Sequence, residues 1–347
     1  RYRAAGDGGG RAEGVGDPRS QKTLEGGCLS KQVGCAYLIT ALAGGVGASK
    51  LLTGLKHIMR PRTGKIVVNT ADDEEFFGLH VSPDIDTVVY SLAGLADDVK
   101  GWGVAGDTFH TLEMLGRLGC ETWFKLGDRD LAVHIYRTMR LRSGATLTQV
   151  THEIAARLNA GWEILPMTDD KVRTVVETSA GAMSFQEYFV KHQYKVVVRS
   201  VRFEGVEGAE PTPQVVEALK KAEAIIICPS NPVVSIGPIL SLKNVRRLLK
   251  ESEAPVLAVS PIVGGKALRG PAAEMMKALG IEPTAAGVAR MYSDFLDIFI
   301  LDEVDAHLKR EVEAMGIKAY TARTVMQSFG ERVALAEYCL KVLGIRV

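Results

Sequence analysis

The residues best suited to chemistry are acids that follow an apolar run, Lys65–Val68, which predicts a buried strand. The segment after that run reads Asn69-Thr70-Ala71-Asp72-Asp73-Glu74-Glu75. Ligands of open α/β sheets bind beyond the carboxyl ends of the strands, so this position favours a functional role for Asp72 and Asp73. For Glu74 and Glu75 we expect only a solvated loop.

Two more acids come shortly afterwards, Asp84 and Asp86 in Ser82-Pro83-Asp84-Ile85-Asp86-Thr87. Hard divalent cations take oxygen ligands. A magnesium ion held by Asp72, with Asp84 or Asp86 nearby, would neutralise phosphate oxygens and align an in-line displacement. The alternative is that Asp84 caps an apolar helix predicted at Ile85–Leu95.

A glycine loop precedes these acids in the chain. Gly44, Gly45 and Gly47 lie between a predicted strand, Tyr37–Leu42, and a helical pattern at Ser49–Met59. Glycines let the backbone approach a ligand closely, and the amides at a helix start can hold an anion. The loop matches neither the dinucleotide fingerprint nor the P-loop. Phosphate binding and a purely structural turn are therefore both open.

A polar loop with rigid prolines follows another predicted strand, Ala224–Cys228. It contains Ser230, Asn231 and Ser235, whose hydroxyl and amide groups can bond phosphates or base edges. The alternative is a proline-terminated turn before a helix that Ser235 caps.

Three weaker candidates for lining a binding site lie between these loops. Asp107 and Thr108 precede an apolar helix, where capping is the ordinary role of an aspartate. Arg129 also precedes a helix, and its planar guanidinium suits a carboxylate or a phosphate.

The elements that must position these residues alternate between short apolar runs and helical patterns. Further strands are predicted at Val256–Val259, Ile298–Leu301 and Ile317–Tyr320, with helices between them. This order predicts an α/β fold with a Rossmann-like, doubly wound and mostly parallel sheet. Residues 130–205 differ, with two helical patterns and then two strands around a third. We expect them to form an inserted, smaller α+β lobe.

The bulk composition excludes several classes of protein. The chain has 347 residues, 46% hydrophobic and 24% charged, which is typical of a globular enzyme or binding protein. A net charge of +1 provides no broad basic surface for nucleic acid. No apolar run approaches the roughly 20 residues that span a bilayer. Five scattered cysteines indicate neither disulfides nor a zinc site and favour a reducing cytoplasm.

The first 35 residues are rich in Gly, Arg and Ser and show no apolar period. We expect residues 1–35 to be a disordered extension that need not be native, and residues 36–347 to form the functional domain.

Taken together and in order, these motifs resemble the CofD family of 2-phospho-L-lactate transferases. The stretches that carry the resemblance are Ala43–Ala48, Asn69–Asp73, Ser82–Thr87, Gly101–Gly103, Leu126–Ala132 and Pro229–Leu240. Each is weak alone, but the set extends from about Ala36 to the C-terminus.

The resemblance implies a reaction. A guanosine diphosphate-linked donor passes phospholactate, or its enolpyruvyl analogue, to the deazaflavin Fo, giving GMP and coenzyme F-420 without glutamate, or its dehydro form. It also implies Mg²⁺ and a homodimer. On this hypothesis Asp72 binds the metal and Asp73 contacts the Fo hydroxyl. The Gly44–Gly47 loop, Asn69, Thr70, Ser230, Asn231 and Ser235 line the substrates. The sequence does not decide between the two donors.

Two other functions fit parts of the pattern. An NAD-dependent dehydrogenase would explain the first strand–glycine–helix unit, but the third glycine of its fingerprint is missing. A nucleotide-sugar-binding regulator of the gluconeogenesis-factor type has a similar glycine loop and acidic segment. The long Ser-Asn-Pro loop and the Ser-Pro-Asp-Ile-Asp-Thr stretch favour the transferase.

Overall fold

A computed structural model describes residues 37–59, 63–268 and 270–346. The predicted disordered extension, residues 1–35, lies outside the described residues. The strands are, in chain order, β1 (Ile39–Ala43), β2 (Gly64–Val68), β3 (Glu74–Phe76), β4 (Leu79–Val81), β5 (Glu163–Pro166), β6 (Arg173–Thr178), β7 (Gly181–Ser184), β8 (Val198–Glu204), β9 (Ala224–Ile227), β10 (Val256–Val259), β11 (Ile262–Val263), β12 (Lys266–Ala267), β13 (Ile298–Asp302) and β14 (Lys318–Ala322).

The helices follow the same alternating order. They are α1 (Gly45–Ile58), α2 (Pro83–Ala93), α3 (His110–Arg117), α4 (Asp128–Arg142), α5 (Leu147–Arg157), α6 (Pro213–Lys221), α7 (Ile236–Ser241), α8 (Val245–Glu251), α9 (Ala272–Ala278), α10 (Ala285–Tyr292), α11 (Lys309–Glu313) and α12 (Phe329–Val342). A π-helical turn at Glu187–Lys191 and a 3-10 turn at Glu303–Leu308 complete the set in the described ranges.

Seven parallel strands form the central sheet, in the order β14-β13-β10-β9-β1-β2-β5. Strands such as Ala224–Ile227 and Val256–Val259 are buried at every position. Continuous apolar runs of this kind are expected where helices cover both faces of a parallel sheet. The predicted α/β fold with a doubly wound parallel sheet is confirmed.

Each face of the sheet has its own apolar core. On one face, Leu51 of α1, Ile85 of α2 and Leu335 of α12 pack against β1 through Ala41. On the other face, helices α6 to α11 pack against the alternate residues of the same strands, including Leu42. Side chains alternate between the two faces of a strand, so one short run supplies both cores.

The chain adds strands first on one side of β1 and later on the other, so β1 is the switch point of the sheet. From β1 the chain adds β2 and β5 on one side, and β9, β10, β13 and β14 on the other. In open α/β sheets, ligands bind in a crevice beyond the carboxyl ends of the strands at such a switch point. The loops after β1, β2 and β9 therefore meet at one edge of the sheet.

The region predicted as an inserted lobe is only partly separate. Strands β6, β7 and β8 form their own antiparallel sheet, in the order β7-β6-β8. However, β5 pairs with β2 as the edge strand of the central sheet, and α5 packs on the main core through Val150. The sequence prediction missed β5 because its apolar part, Ile164–Leu165, is too short to stand out.

No helix of the described ranges is long and apolar enough to cross a membrane.

Gly54 allows α1 to pack closely on α12. A Cβ atom at Gly54 would lie 2.2 Å from the carbonyl oxygen of Arg332. We therefore expect Gly54→Ala to lower the free energy of unfolding by about 1–3 kcal/mol, because overpacking outweighs the gain in helix propensity. Urea denaturation measures the change. The matched control is Gly116→Ala in α3, where the added atom would meet Thr122 at an ordinary 3.5 Å. Equal stability of the two variants would contradict the prediction.

Candidate functional site

The loops after β1 and β9 contact each other at the switch point. The backbone N–H of Gly44 donates to the Ser230 hydroxyl at 3.2 Å. A Cβ atom at Gly47 would lie 2.1 Å from the carbonyl oxygen of Pro229. A side chain at this position would thus separate the two loops, which explains why glycine is required there.

Gly44 also makes room for polar side chains from two other elements. A Cβ atom at Gly44 would lie 2.7 Å from Oδ2 of Asp84 and 2.6 Å from Cβ of Ser235. Gly45 follows in the left-handed region, at φ +68°, and begins α1. The first turn of α1 carries no acid of its own. The backbone N–H of Gly45 bonds to Asp84, so the start of α1 presents its partial positive charge to this acid.

Asn69 joins the two acids at the centre of the site. Its Nδ2 donates to Oδ2 of Asp72 at 3.1 Å and to Oδ2 of Asp84 at 2.9 Å. Its Oδ1 accepts from the backbone N–H of Ala71 at 2.9 Å, which fixes the orientation of the amide. The end of β2 and the first turn of α2 thus place two carboxylates on one donor.

Burial makes ionisation of these acids unfavourable. It raises the pKa of Asp84 to about 7, against the opposing hydrogen bonds from Asn69 and Gly45. Burial, and then the charge of Asp84, raise the pKa of Asp72 as well. Adjacent buried carboxylates are costly unless a proton or a cation neutralises them. The pair is therefore arranged to hold a positive charge.

A divalent cation is compatible with this pair. Oδ1 of Asp72 is buried and has no hydrogen-bonding partner among the residues that the structure describes, so it can act as a ligand. Within the described residues, no group of three or more His, Cys, Asp or Glu side chains is arranged to bind a metal. Two carboxylates are nevertheless enough for Mg²⁺, which keeps several waters and takes further oxygens from substrate phosphates.

The structure separates Asp86 from this pair and does not support it as a metal ligand. Both Nη atoms of Arg137 donate to the Asp86 carboxylate, one of them at 3.1 Å, and Arg137 is fully buried. Asp84 and Asp86 are two residues apart on α2, and helix positions at this spacing point in different directions. Asp84 thus faces Asn69, whereas Asp86 faces α4.

Asp73 is held by a contact that the sequence analysis missed. Its Oδ2 accepts from the Ser82 hydroxyl at 2.7 Å and lies 2.9 Å from Nε2 of His80. Oδ1 has no partner. Burial raises the pKa of Asp73, while the contact with His80 opposes that shift. The sequence indicates this contact only through Gly78, which permits the tight turn between β3 and β4.

Asp107, Thr108 and Arg129 lie in a reciprocal pair of helix caps. The Asp107 carboxylate accepts from the backbone N–H groups of Arg129 and Asp130, so it caps α4 rather than the helix that it precedes. Asp128 in turn accepts from the Thr108 hydroxyl at 2.6 Å and from backbone amides of α3. These hydrogen bonds hold the pKa of Asp128 below its ordinary value. Only the exposed Arg129 side chain is left for a ligand.

The loop after β9 is ordered by Asn231. Its Oδ1 accepts from the backbone N–H groups of Val233 and Val234, and its carbonyl oxygen accepts from Ser235 N–H. The alternative in which the Ser235 side chain caps α7 is not supported: Ser235 occupies the N-cap position, but its side chain makes no capping bond and lies beside Gly44. The hydroxyl of Thr70, two residues after β2, is buried and has no hydrogen-bonding partner among the described residues.

A cavity of about 330 Å³ lies beside Asp72 and Asp73. The β6–β7–β8 sheet forms its other wall, with Thr174, Arg173 and Arg202 among the lining residues. The Thr174 hydroxyl lies near Asp72, although neither that hydroxyl nor Oδ1 of Asp72 has a partner in hydrogen-bonding geometry. A larger depression, about 460 Å³ along α4, contains none of the predicted site residues.

Comparisons with known proteins converge on one family. A family model described as 2-phospho-L-lactate transferase CofD matches residues 39–333. A 2-phospho-L-lactate transferase of Methanosarcina mazei is 44% identical over 295 residues, which cover 85% of this chain and 97% of the relative. A phosphoenolpyruvate transferase of Streptomyces griseus is 43% identical over 310 residues, covering 88% of this chain and 98% of the relative.

A solved structure shows the same fold at low identity. A member of the UPF0052 family from Bacillus halodurans has a TM-score of 0.58 and 15% identity, covering 88% of this chain and 99% of its own. At this identity the likeness concerns the fold alone.

The buried Asp84 should make the stability of the metal-free protein depend on pH. Its pKa is 3.8 ordinarily and about 7 in the fold, so between these values the unfolded chain loses its proton first. Relative to Asp84→Asn, the wild-type free energy of unfolding should fall as pH rises through this window and then level off. Each unit of pKa difference corresponds to about 1.4 kcal/mol.

Urea denaturation in EDTA, at several pH values on both sides of the window, tests this dependence. Below the ordinary pKa the two proteins should differ least, because Asp84 is protonated in both the folded and the unfolded chain. Parallel profiles across the window would show that Asp84 ionises normally and would contradict the prediction.

Proposed function

We propose a specific reaction for this chain, which belongs to the CofD family of 2-phospho-L-lactate transferases. A guanosine diphosphate-linked donor passes its phospholactyl or enolpyruvyl phosphate group to a hydroxyl of the deazaflavin Fo. The products are GMP and coenzyme F-420 without glutamate, or its dehydro form. The observation that carries this proposal is the Asn69-linked pair of Asp72 and Asp84 at the switch point, beside the start of α1.

The carboxylate pair suits the metal that such a transfer needs. Asp72 and Asp84 would hold Mg²⁺ through oxygens not used by Asn69, and a bound Mg²⁺ would neutralise charge on the phosphoryl oxygens. Phosphoryl transfer depends on positioning and electrostatic stabilisation more than on covalent chemistry. A rigid pair fixed by one amide meets that requirement.

The diphosphate of the donor would lie against the glycine loop. The backbone at Gly44–Gly47 and the start of α1 offer amides to an anion. The hydroxyls of Ser230 and Ser235 border the same loop, and the partnerless hydroxyl of Thr70 follows the neighbouring strand. Asn231 would act by ordering the loop after β9, because its Oδ1 already accepts hydrogen bonds from backbone N–H groups of that loop.

Asp73 is suited to the acceptor hydroxyl. It borders the cavity, and its Oδ1 is the oxygen that neither His80 nor Ser82 uses. In this role it would orient the Fo hydroxyl and accept its proton during attack on phosphorus.

Activity and its metal dependence test the proposal together. Purified protein, mixed with Fo, guanylated donor and Mg²⁺, should release GMP and form the product in equal amounts, as followed by chromatography. Asp72→Asn should lower kcat by about 10²–10³-fold, because charge stabilisation at phosphorus is lost, and should raise the Mg²⁺ concentration required.

Glu75→Gln is the matched control, since Glu75 is an exposed acid on the hairpin that follows Asp73. It should behave as the wild type. An Asp72→Asn variant with wild-type turnover and unchanged Mg²⁺ dependence would remove Asp72 from the metal site. A wild-type protein that releases no GMP from either donor would overturn the proposed reaction.

Arg173 is the best candidate to bind the carboxylate that both donors carry. It lines the cavity, and its side chain makes no ion pair with the described residues, whereas Arg202 is paired with Glu177 and Glu204. Arg173→Gln should raise KM for the donor by roughly 10–100-fold, as expected for loss of a charge-assisted hydrogen bond, and leave KM for Fo unchanged. Arg202→Gln should have a smaller effect. Equal changes in the two variants would refute the assignment.

A further inference from the structure

A short hairpin brings His80 back onto Asp73. Strands β3 and β4 are joined by Phe77 and Gly78, both at positive φ, and this tight turn reverses the chain within two residues. Nε2 of His80 then lies 2.9 Å from Oδ2 of Asp73. The imidazole is 35% exposed, whereas the Asp73 side chain is only 9% exposed. The hairpin thus supplies a polar contact to a buried acid from the surface side.

Helix α4 fixes the backbone of this hairpin at three points. The N–H of His80 donates to the Thr138 hydroxyl at 2.8 Å, and its carbonyl accepts from Nη1 of Arg137 at 3.5 Å. Arg142 donates to the carbonyl of Gly78 at 2.9 Å. Arg137 is itself held by its buried ion pair with Asp86. The ion pair therefore contributes to the position of His80.

Both donors to Asp73 use the same oxygen. His80 and Ser82 contact Oδ2, and in the described part of the chain Oδ1 has no hydrogen-bonding partner. A carboxylate with one oxygen bonded twice cannot rotate freely, so the direction of the other oxygen is fixed. Oriented groups of this kind make a bound geometry close to the transition state more populated.

We infer that His80 is a positioning residue of this enzyme, which holds Asp73 through Oδ2 so that Oδ1 meets the acceptor hydroxyl. The inference rests on the proposed function. In the transfer, the hydroxyl oxygen forms a bond to the donor phosphorus and the bond from that phosphorus to the GMP oxygen breaks. GMP leaves with the bonding electron pair, and the hydroxyl proton passes to Oδ1 of Asp73. His80 acts on the rate of this step and not on substrate affinity.

Two amide variants of His80 form a matched pair. The amide nitrogen of Gln reaches about as far as the imidazole Nε2, whereas that of Asn is too short to reach Asp73. His80→Asn should lower kcat by about 10–100-fold, the range typical of losing a partner that orients a functional group. KM for Fo and for the donor should stay within about twofold in both variants. His80→Gln should recover most of the kcat, and Glu75→Gln, across the hairpin from His80, should match the wild type.

Other kinetic results would contradict either the inference about His80 or the proposed function. Wild-type kcat in His80→Asn would overturn the inference, and so would a loss that appears only in KM, which would make His80 a binding residue. Equal losses in the Gln and Asn variants would show that the imidazole itself transfers a proton. An inactive wild-type protein would instead refute the proposed function. Near-equal thermal midpoints of both variants establish that the kcat difference is not a difference in folding.

Discussion

One side-chain amide holds the centre of this molecule together. Asn69 donates to both Asp72 and Asp84, which are buried and would otherwise repel each other when ionised. Its own oxygen is fixed by a backbone N–H, so the amide cannot turn away from the carboxylates. The end of β2, the start of α2 and the glycine loop all have to meet around this one group. Burial raises the pKa of both acids, so a bound cation would favour their ionised form.

The sheet makes that meeting possible. The strand order diverges from β1, so the loops after β1, β2 and β9 leave the same edge of the sheet and border one crevice. The glycines then determine how closely the loops approach, because a side chain at Gly44 or Gly47 would overlap with Asp84 or Pro229. The same absence of side chains that lets the loops pack also leaves backbone amides accessible to an anion.

Helix α4 forms a second support outside the sheet. Reciprocal caps by Asp107 and Asp128 fix its start, and its buried Arg137 pairs with Asp86 of α2. A buried ion pair contributes little net stability after desolvation, but leaving one partner alone is costly. The pair therefore serves to fix one arrangement of α2, α4 and the β3–β4 hairpin. Asp86, which the sequence analysis considered as a metal ligand, thus contributes to the position of His80 and Asp73.

The sequence by itself determined the sheet, most of its strands and the loops that carry the chemistry. Parallel strands buried on both faces appear as apolar runs such as Ala224–Ile227, and the polar groups follow directly after them. The family could also be identified from the ordered set of motifs. Only the tertiary structure decided which acid faces which partner, because the direction of each side chain depends on how the elements pack together. Asp86 meets Arg137 across 51 residues, and no local pattern distinguishes it from Asp84. Strand β5 was missed because its apolar run is short, and His80 because only the folded hairpin brings its ring onto Asp73.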